Sequence, residues 1–185
     1  MKMARLIVLV GPSGAGKTAL AMALEVNGIA RRIVTCTTRA PRPGEVPGTD
    51  YVFCSLDAFM AMTDAGALAE SEFIHDHWYG VPLAGIRAAW AGTEPHTVVL
   101  GPGGAARVKA MAPDKVTVVA IAPPNPATLA ERLHGRGTPA DEITQRLAVT
   151  GEWPTVTTAD VAITNDDWDT AYAALVQVVQ GHPAL

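Results

Sequence analysis

The sequence lacks several features that would mark other classes of protein. It has only two cysteines, Cys36 and Cys54, which show no metal-binding spacing and cannot build a disulfide framework. No apolar run approaches the ~20 residues that are needed to cross a bilayer. Sparse, unpaired cysteines are typical of the reducing cytosol, so we expect a cytoplasmic protein with no membrane partner.

Positive charge is also scarce. The chain has 14 Lys and Arg against 18 Asp and Glu, a net charge of −4. Surfaces that bind nucleic acid need clustered basic residues, so we expect no nucleic-acid partner. If the ligands are small polyanions, a few arginines that converge on one cleft must supply the positive charge. The composition leaves open whether the protein is a monomer or a homodimer.

Apolar strands alternate with helical segments along the 185 residues. This alternation predicts an α/β fold in which helices cover both faces of a parallel sheet. The predicted elements include a strand over 33–36 and a helix from about 105 to 111. The length suits a single well-cored domain with a small insert.

The stretch GPSGAGKT at 11–18 fits the phosphate-loop pattern G-x-x-x-x-G-K-[ST] at every fixed position. An apolar strand precedes it and helix-forming residues follow, as this motif requires. Its backbone N–H groups and the helix N-terminus can bind phosphate, Lys17 can reach the terminal phosphates, and the Thr18 hydroxyl can bind Mg²⁺. The motif therefore predicts that the chain binds ATP or a closely similar nucleotide. The predicted ATP-binding residues of this loop are Gly11, Ser13, Gly14, Ala15, Gly16, Lys17 and Thr18.

A second constellation lies in the loop rich in proline and glycine between residues 35 and 51. Arg39 and Arg42 are three residues apart and are stiffened by the intervening proline. Two such guanidinium groups can both donate hydrogen bonds to one phosphate group. The spacing is equally compatible with two solvated arginines on the surface.

Taken together, the motifs resemble those of the guanylate kinase family of nucleoside monophosphate kinases. The resembling stretches are GPSGAGKT at 11–18, TTRAPRPGE at 37–45, Asp50-Tyr51, Glu70, Trp78-Tyr79-Gly80, Arg132-Leu133 with GRGT at 135–138, Gln145-Arg146-Leu147 and Asn165-Asp166-Asp167. They occur in family order and cover almost the whole chain. The resemblance implies a three-layer P-loop NTPase fold with a parallel central sheet. Its core would comprise 1–35, 89–132 and 148–185, its insert that binds the monophosphate about 36–88, and its mobile lid about 133–147.

The resemblance also implies roles for individual residues. The acceptor phosphate would be held by Arg39, Arg42, Tyr51 and Tyr79. Glu70 would accept hydrogen bonds from guanine N1 and N2, and Thr35 would offer the base a hydroxyl. The ATP site would include Arg132, Arg136, Arg146 and Asn165. The catalytic set would be Lys17, Arg39, Arg132, Arg136 and Arg146, with Mg²⁺ accompanying ATP.

Two positions depart from the family pattern. Relatives carry an Asp-x-Asp pattern after the strand that corresponds to 97–100, whereas this chain has Gly101-Pro102-Gly103-Gly104 and no acidic residue between Glu94 and Asp114. Val81 stands where relatives have a hydroxyl that faces the base, and it cannot form that hydrogen bond. These departures predict weaker Mg²⁺ support and leave the preferred base open.

The sequence therefore predicts an enzyme that uses ATP to phosphorylate a nucleoside monophosphate, with GMP or dGMP first in order. A different nucleotide or ribose 1,5-bisphosphate could be the acceptor on the same scaffold. A third alternative is a guanylate-kinase-like module that binds partners and has little catalytic activity. The intact Lys17 and Thr18 argue against that alternative.

Overall fold

The computed structural model describes residues 6–74, 76–150 and 159–181. Residues 1–5, 151–158 and 182–185, which fall in the predicted core, lie outside the described part. The elements are, in chain order, β1 (Leu6–Val10), α1 (Lys17–Val26), β2 (Arg31–Arg32), β3 (Cys36–Thr37), β4 (Val52–Phe53), α2 (Leu56–Asp64), β5 (Leu68–Ile74), β6 (His77–Pro82), α3 (Leu83–Ala91), β7 (His96–Val99), α4 (Pro102–Met111), β8 (Val116–Ala122), α5 (Pro126–Gly135), α6 (Ala140–Thr150), β9 (Val161–Thr164) and α7 (Trp168–Val179).

The central sheet has five strands in the order β2-β7-β1-β8-β9, and every neighbouring pair is parallel. Strand β1 lies in the middle and is buried on both faces. Its residues 6, 8 and 10 pack with helices α3 and α4, while residues 7 and 9 pack with α1 and α7. This period of two is what a central strand between two helical layers requires. The predicted α/β class, with a parallel sheet between helices, is confirmed.

A second sheet has four strands in the order β4-β3-β6-β5. Strands β3 and β4 are parallel, whereas β6 is antiparallel to both β3 and β5. Phe59 of α2 is fully buried beneath this sheet, with its ring centroid 5.9 Å from that of Trp78. This sheet lies inside the stretch 36–88, and it carries Glu70 and Tyr79.

The single strand predicted over 33–36 is wrong in its bounds. The chain leaves the central sheet after β2 and enters the second sheet at β3, so residues 33–35 cross between the sheets. The Ile33 N–H still donates to Thr97 O of the central sheet, 2.8 Å away, while the Val52 N–H donates to Thr35 O, 2.9 Å away. An apolar, β-branched stretch suits either sheet, and its composition alone does not reveal the change.

Helix α4 begins three residues earlier than predicted. Gly101 is its N-cap and Pro102 occupies the first helical position, where the fixed φ of proline suits a helix start. Gly103 and Gly104, which were expected in a loop, therefore lie in the first turn of the helix.

Helices α5 and α6 form a small cluster of their own at the carboxyl end of β8. Leu129, Leu133 and Ile143 are buried against one another there. This pair contains the stretch 133–147 that was predicted to be a lid. Within the described residues, no helix is both long enough and apolar enough to cross a membrane.

Candidate active site

The phosphate loop connects β1 to α1 at the carboxyl edge of the central sheet. Gly11, Gly14 and Gly16 all have positive φ angles, of 144°, 95° and 97°. Gly11 also lies against the backbone of β8, where a Cβ atom would be 3.1 Å from the carbonyl carbon of Ile121 and closer still to its oxygen. Only glycine fits at this position, so its place in the motif has a steric cause.

Lys17 directs its ammonium group into this loop. Its Nζ donates to Gly11 O at 2.7 Å and to Pro12 O at 2.8 Å. Burial and, to a smaller extent, the positive charge of Arg136 together lower the pKa of the ammonium group from 10.5 to about 7. A phosphate group beside Lys17 would favour the charged form, so the site is electrostatically matched to an anion.

Three arginines approach the loop from the helices that follow β8. Arg132 of α5 donates from Nη2 to Asn165 O at 2.9 Å, while its Nη1 is buried and finds no hydrogen-bond partner within the described part of the chain. Arg146 of α6 donates from Nη1 to the Ser13 hydroxyl at 3.1 Å. Arg136 is exposed, but it lies near enough to lower the pKa of Lys17. The structure therefore brings these predicted ATP-site arginines to the phosphate loop.

Asn165 holds the loop from the opposite side. It follows β9, is 5% exposed, and donates from Nδ2 to Ala15 O at 2.8 Å. The same amide lies so close to Gly16 that a Cβ atom there would collide with it. The Asn165 side chain therefore binds the backbone of the loop, and the Asn165 backbone carbonyl oxygen accepts the hydrogen bond from Arg132.

The predicted site for the acceptor phosphate gathers around Arg39. The guanidinium group lies 5.3 Å from the ring centroid of Tyr51, and that ring is 6.1 Å from the ring of Tyr79. Burial raises the pKa of the Tyr51 hydroxyl, which keeps it protonated and able to donate. Arg39 makes a bidentate pair with Glu45, at 2.8 and 2.9 Å, while its Nε is buried without a hydrogen-bond partner.

Arg42 and Thr35 occupy the edges of this region. Arg42 is exposed, and its backbone N–H donates to Glu45 at 2.7 Å. Its charge also acts on the Tyr51 hydroxyl. Thr35, in the crossing between the sheets, lines a groove with Thr18 and Tyr51. This groove lies between the first turn of α1 and Tyr51.

Glu70 lies at the centre of the predicted base site. Its side chain is 3% exposed and is paired with Arg107 of α4, whose Nη2 donates to Oε1. Burial raises the pKa of the Glu70 carboxyl, and the guanidinium group opposes that shift. Val81 pairs with Glu70 across β5 and β6, but its side chain packs in the hydrophobic core and is inaccessible to solvent. The structure thus does not place Val81 beside an open cleft.

Sequence reasoning missed the partners of these residues. Glu45 fixes Arg39, and Arg107 fixes Glu70. The pair of Arg39 and Glu45 had a local signal in the sequence, because Glu45 lies in the same loop as the two arginines. Glu70 and Arg107 are 37 residues apart in the sequence, and the pattern of residues in α4 does not indicate that Arg107 pairs with a residue of β5.

The oxygen donors near the loop are few. Thr18 lies in the first turn of α1 and lines the groove. The described residues contain no group of three or more His, Cys, Asp or Glu side chains that could hold a metal ion. A Mg²⁺ ion bound chiefly by nucleotide phosphates and water, with one hydroxyl from the protein, fits this donor set.

Comparison with known proteins agrees with this geometry. The family model of guanylate kinase matches residues 3–182. The chain is 36% identical over 188 residues to a protein named guanylate kinase from Mycobacterium sp. (strain MCS), covering 96% of this chain and 92% of the relative. It is 37% identical over 185 residues to a protein of the same name from Rhodococcus jostii (strain RHA1), covering 97% and 88%.

The fold is likewise shared with a solved structure. The crystal structure of guanylate kinase from Anaplasma phagocytophilum superposes with a TM-score of 0.78 and 21% sequence identity, covering 97% of this chain and 86% of that one. The predicted three-layer P-loop fold is thereby confirmed. With the family model matching nearly its whole length, the chain belongs to the guanylate kinase family.

Proposed function

We propose that this protein transfers the terminal phosphoryl group of ATP to GMP or dGMP, forming ADP and the nucleoside diphosphate. One observation carries the proposal: at each of the two predicted phosphate sites, a buried guanidinium nitrogen has no hydrogen-bond partner among the described residues. These are Nη1 of Arg132 beside Asn165 and Nε of Arg39 beside Tyr51. A buried cationic N–H without an acceptor is costly, and phosphate oxygens are the acceptors that arginine prefers. Two separate anion sites suit a donor and an acceptor phosphate.

The chemistry asks for alignment and charge stabilisation. The acceptor phosphate is already anionic near neutral pH, so the nucleophilic oxygen needs no general base. Lys17 and the backbone N–H groups of the loop would hold the ATP phosphates, and Arg136 and Arg146 would add positive charge as the transition state forms. Arg39 and Tyr51 would hold the attacking phosphate in line. When bound, Mg²⁺ would neutralise phosphate charge, with Thr18 as the residue that holds it.

The choice of guanine rests on Glu70. A buried, ionised carboxylate needs N–H donors, and the Watson–Crick edge of guanine offers N1–H and the 2-amino group side by side. Ribose 1,5-bisphosphate offers no such pair. Glu70 therefore supports a guanine nucleotide over the sugar bisphosphate.

The proposal is tested by measuring ADP formation from ATP and Mg²⁺ with a panel of ribo- and deoxynucleoside monophosphates and ribose 1,5-bisphosphate. We expect turnover with GMP and dGMP far above the other acceptors. Preference for another acceptor would overturn the substrate assignment. Absence of turnover with every acceptor, with ATP still bound, would overturn the kinase assignment.

Arg39→Ala tests the acceptor site directly. We expect kcat/KM for GMP to fall by about 10²- to 10³-fold because the phosphate loses a positioned guanidinium group, while ATP affinity changes by less than about threefold. Arg31→Ala is the matched control, because the Arg31 side chain is 71% exposed on β2 and pairs only with the exposed Glu94. Normal GMP saturation in the Arg39 variant would rule out its proposed role.

A further inference from the structure

A second acidic side chain lies beside Glu70. Glu72 is two residues further along β5, and its carboxylate reaches the first turn of α4. A Cβ atom on Gly103 would be 2.7 Å from Glu72 Oε1, and one on Gly101 would be even closer to Oε2. A Cβ atom on Gly104 would be 2.8 Å from Glu70 Oε2. Glu70 and Glu72, hereafter the carboxylate pair, therefore lie against the same turn.

The glycines of that turn make room for the carboxylate pair. Glycine inside a helix costs about 1 kcal/mol relative to alanine, so two of them in one turn of α4 need a reason. Any side chain at Gly101, Gly103 or Gly104 would displace a carboxylate. At this turn the expected Asp-x-Asp pattern is missing from the sequence. Glu72 brings a carboxylate to this turn from β5 of the second sheet instead.

The hydrogen bonds of the pair are unevenly satisfied. Glu70 accepts a hydrogen bond from the guanidinium group of Arg107, whereas Glu72 Oε2 is buried and has no hydrogen-bond partner among the residues that the structure describes. A buried carboxylate oxygen without a donor is unfavourable, so its position points to a donor supplied by a ligand. The negative charge is tolerated there because the N-terminus of α4 carries partial positive charge.

We propose that Glu72 is a second base-reading residue, which accepts a hydrogen bond from the 2-amino group of guanine. The inference rests on the proposed function. Guanine presents three N–H bonds along one edge, one on N1 and two on N2. A carboxylate that accepts N1–H and the adjacent N2–H side by side leaves the second N2–H, which points away from it, without an acceptor. The free oxygen of Glu72 supplies that acceptor.

Comparison of GMP with IMP isolates this contact, because IMP keeps N1–H and lacks only the 2-amino group. In Glu72→Ala we expect kcat/KM for GMP to fall by about 10- to 100-fold, as for loss of a hydrogen bond to a charged group. The value for IMP should change by less than about threefold. Glu72→Gln keeps the volume of the side chain and removes its charge, so it should weaken GMP selectively by about 5- to 20-fold even if the alanine variant folds poorly.

Glu94→Gln is the matched control, because it removes the same charge from an exposed glutamate in the loop that precedes β7. Equal losses for GMP and IMP in the Glu72 variants would assign Glu72 a merely structural role and overturn the inference. A raised Mg²⁺ requirement with an unchanged preference for GMP over IMP would also overturn it. Wild-type protein that is inactive with GMP would instead overturn the proposed function itself, which distinguishes the two failures.

Discussion

The amide of Asn165 allows a sharp test of how the phosphate loop is held. Its Nδ2 donates to Ala15 O at 2.8 Å in a site where the residue is only 5% exposed. Asn165→Asp keeps the shape of the side chain but replaces the donor with a second acceptor. The new carboxylate oxygen would face the carbonyl oxygen of Ala15 at hydrogen-bond distance in this buried site.

The magnitude follows from the lost hydrogen bond and the buried repulsion. We expect a loss of about 2–4 kcal/mol in the free energy of unfolding at pH 7, against about 1–2 kcal/mol for Asn165→Ala, which only removes the bond. For a protein of this size the larger loss corresponds to a decrease of about 5–12 °C in Tm. ATP binding should weaken in parallel, because Ala15 belongs to the loop that holds the phosphates.

The pH dependence has a defined sign. Burial and the facing carbonyl raise the pKa of the new carboxyl in the folded state above its unfolded value. The folded variant therefore holds its proton to higher pH, and the protonated acid can donate to Ala15 O. The difference in the free energy of unfolding between the wild type and Asn165→Asp should be largest above the raised pKa, and it should decrease as the pH falls towards about 4.

The assay is thermal and urea-induced unfolding of both variants, with Asn125→Asp as the matched control. Asn125 uses its Oδ1 to accept the Thr128 N–H at the start of α5, so aspartate there keeps the cap and should leave Tm unchanged or slightly raised. If Asn165→Asp were as stable as the wild type, or if its deficit did not depend on pH, the assigned hydrogen bond would be refuted.

Two further predictions concern the loop and the base site. Gly11→Ala should lower the free energy of unfolding by more than about 3 kcal/mol or prevent folding, because its Cβ atom would collide with the backbone of β8. In the same experiment, Gly28→Ala should lower the free energy of unfolding by about 1–2 kcal/mol. Gly28 also has a positive φ, of 66°, but nothing lies within 4 Å of its added Cβ, so equal losses would contradict the steric argument. Arg107→Ala should raise the pKa of Glu70 further, because the guanidinium group opposes the effect of burial. In a pH profile of kcat/KM for GMP, the loss of activity on acidification should then begin at higher pH than in the wild type. The control is Arg87→Ala, which replaces an exposed arginine and should leave the pH profile unchanged.

The parts of the fold that follow local rules could be predicted from sequence. The phosphate loop needs glycine at fixed places, and β1 is apolar throughout because both of its faces are covered. The start of α7 was recognisable too, since Asp167 caps it by accepting the Thr170 N–H at 2.9 Å. Such features depend on neighbours within a few residues and therefore leave a signature in the chain.

The parts that depend on distant contacts could not be predicted. The change of sheet at 33–35 is decided by which strands lie alongside. The early start of α4 differs, because Pro102 at its first position is a local signal that the prediction from 105 overlooked. At the site, the sequence indicated Arg39 and Glu70 but neither Arg107 nor the carboxylate of Glu72. Those two reach the base site by packing of β5 against α4, which no spacing along the chain encodes. The roles of the predicted site residues remain proposals for the experiments above.

The crossing between the two sheets has a mechanical consequence. The chain passes from the central sheet to the second sheet at 33–35 and returns where β6 ends and α3 begins, at Pro82. These two passages are neighbours in space, because a Cβ atom on Gly85 would lie 2.8 Å from Ile33 Cγ2. We therefore expect any rotation of the second sheet relative to the central sheet to occur about the line that joins these two passages. A bulky residue at Gly85 would press against Ile33, and we expect it to restrict that rotation without contacting the proposed nucleotide-binding residues.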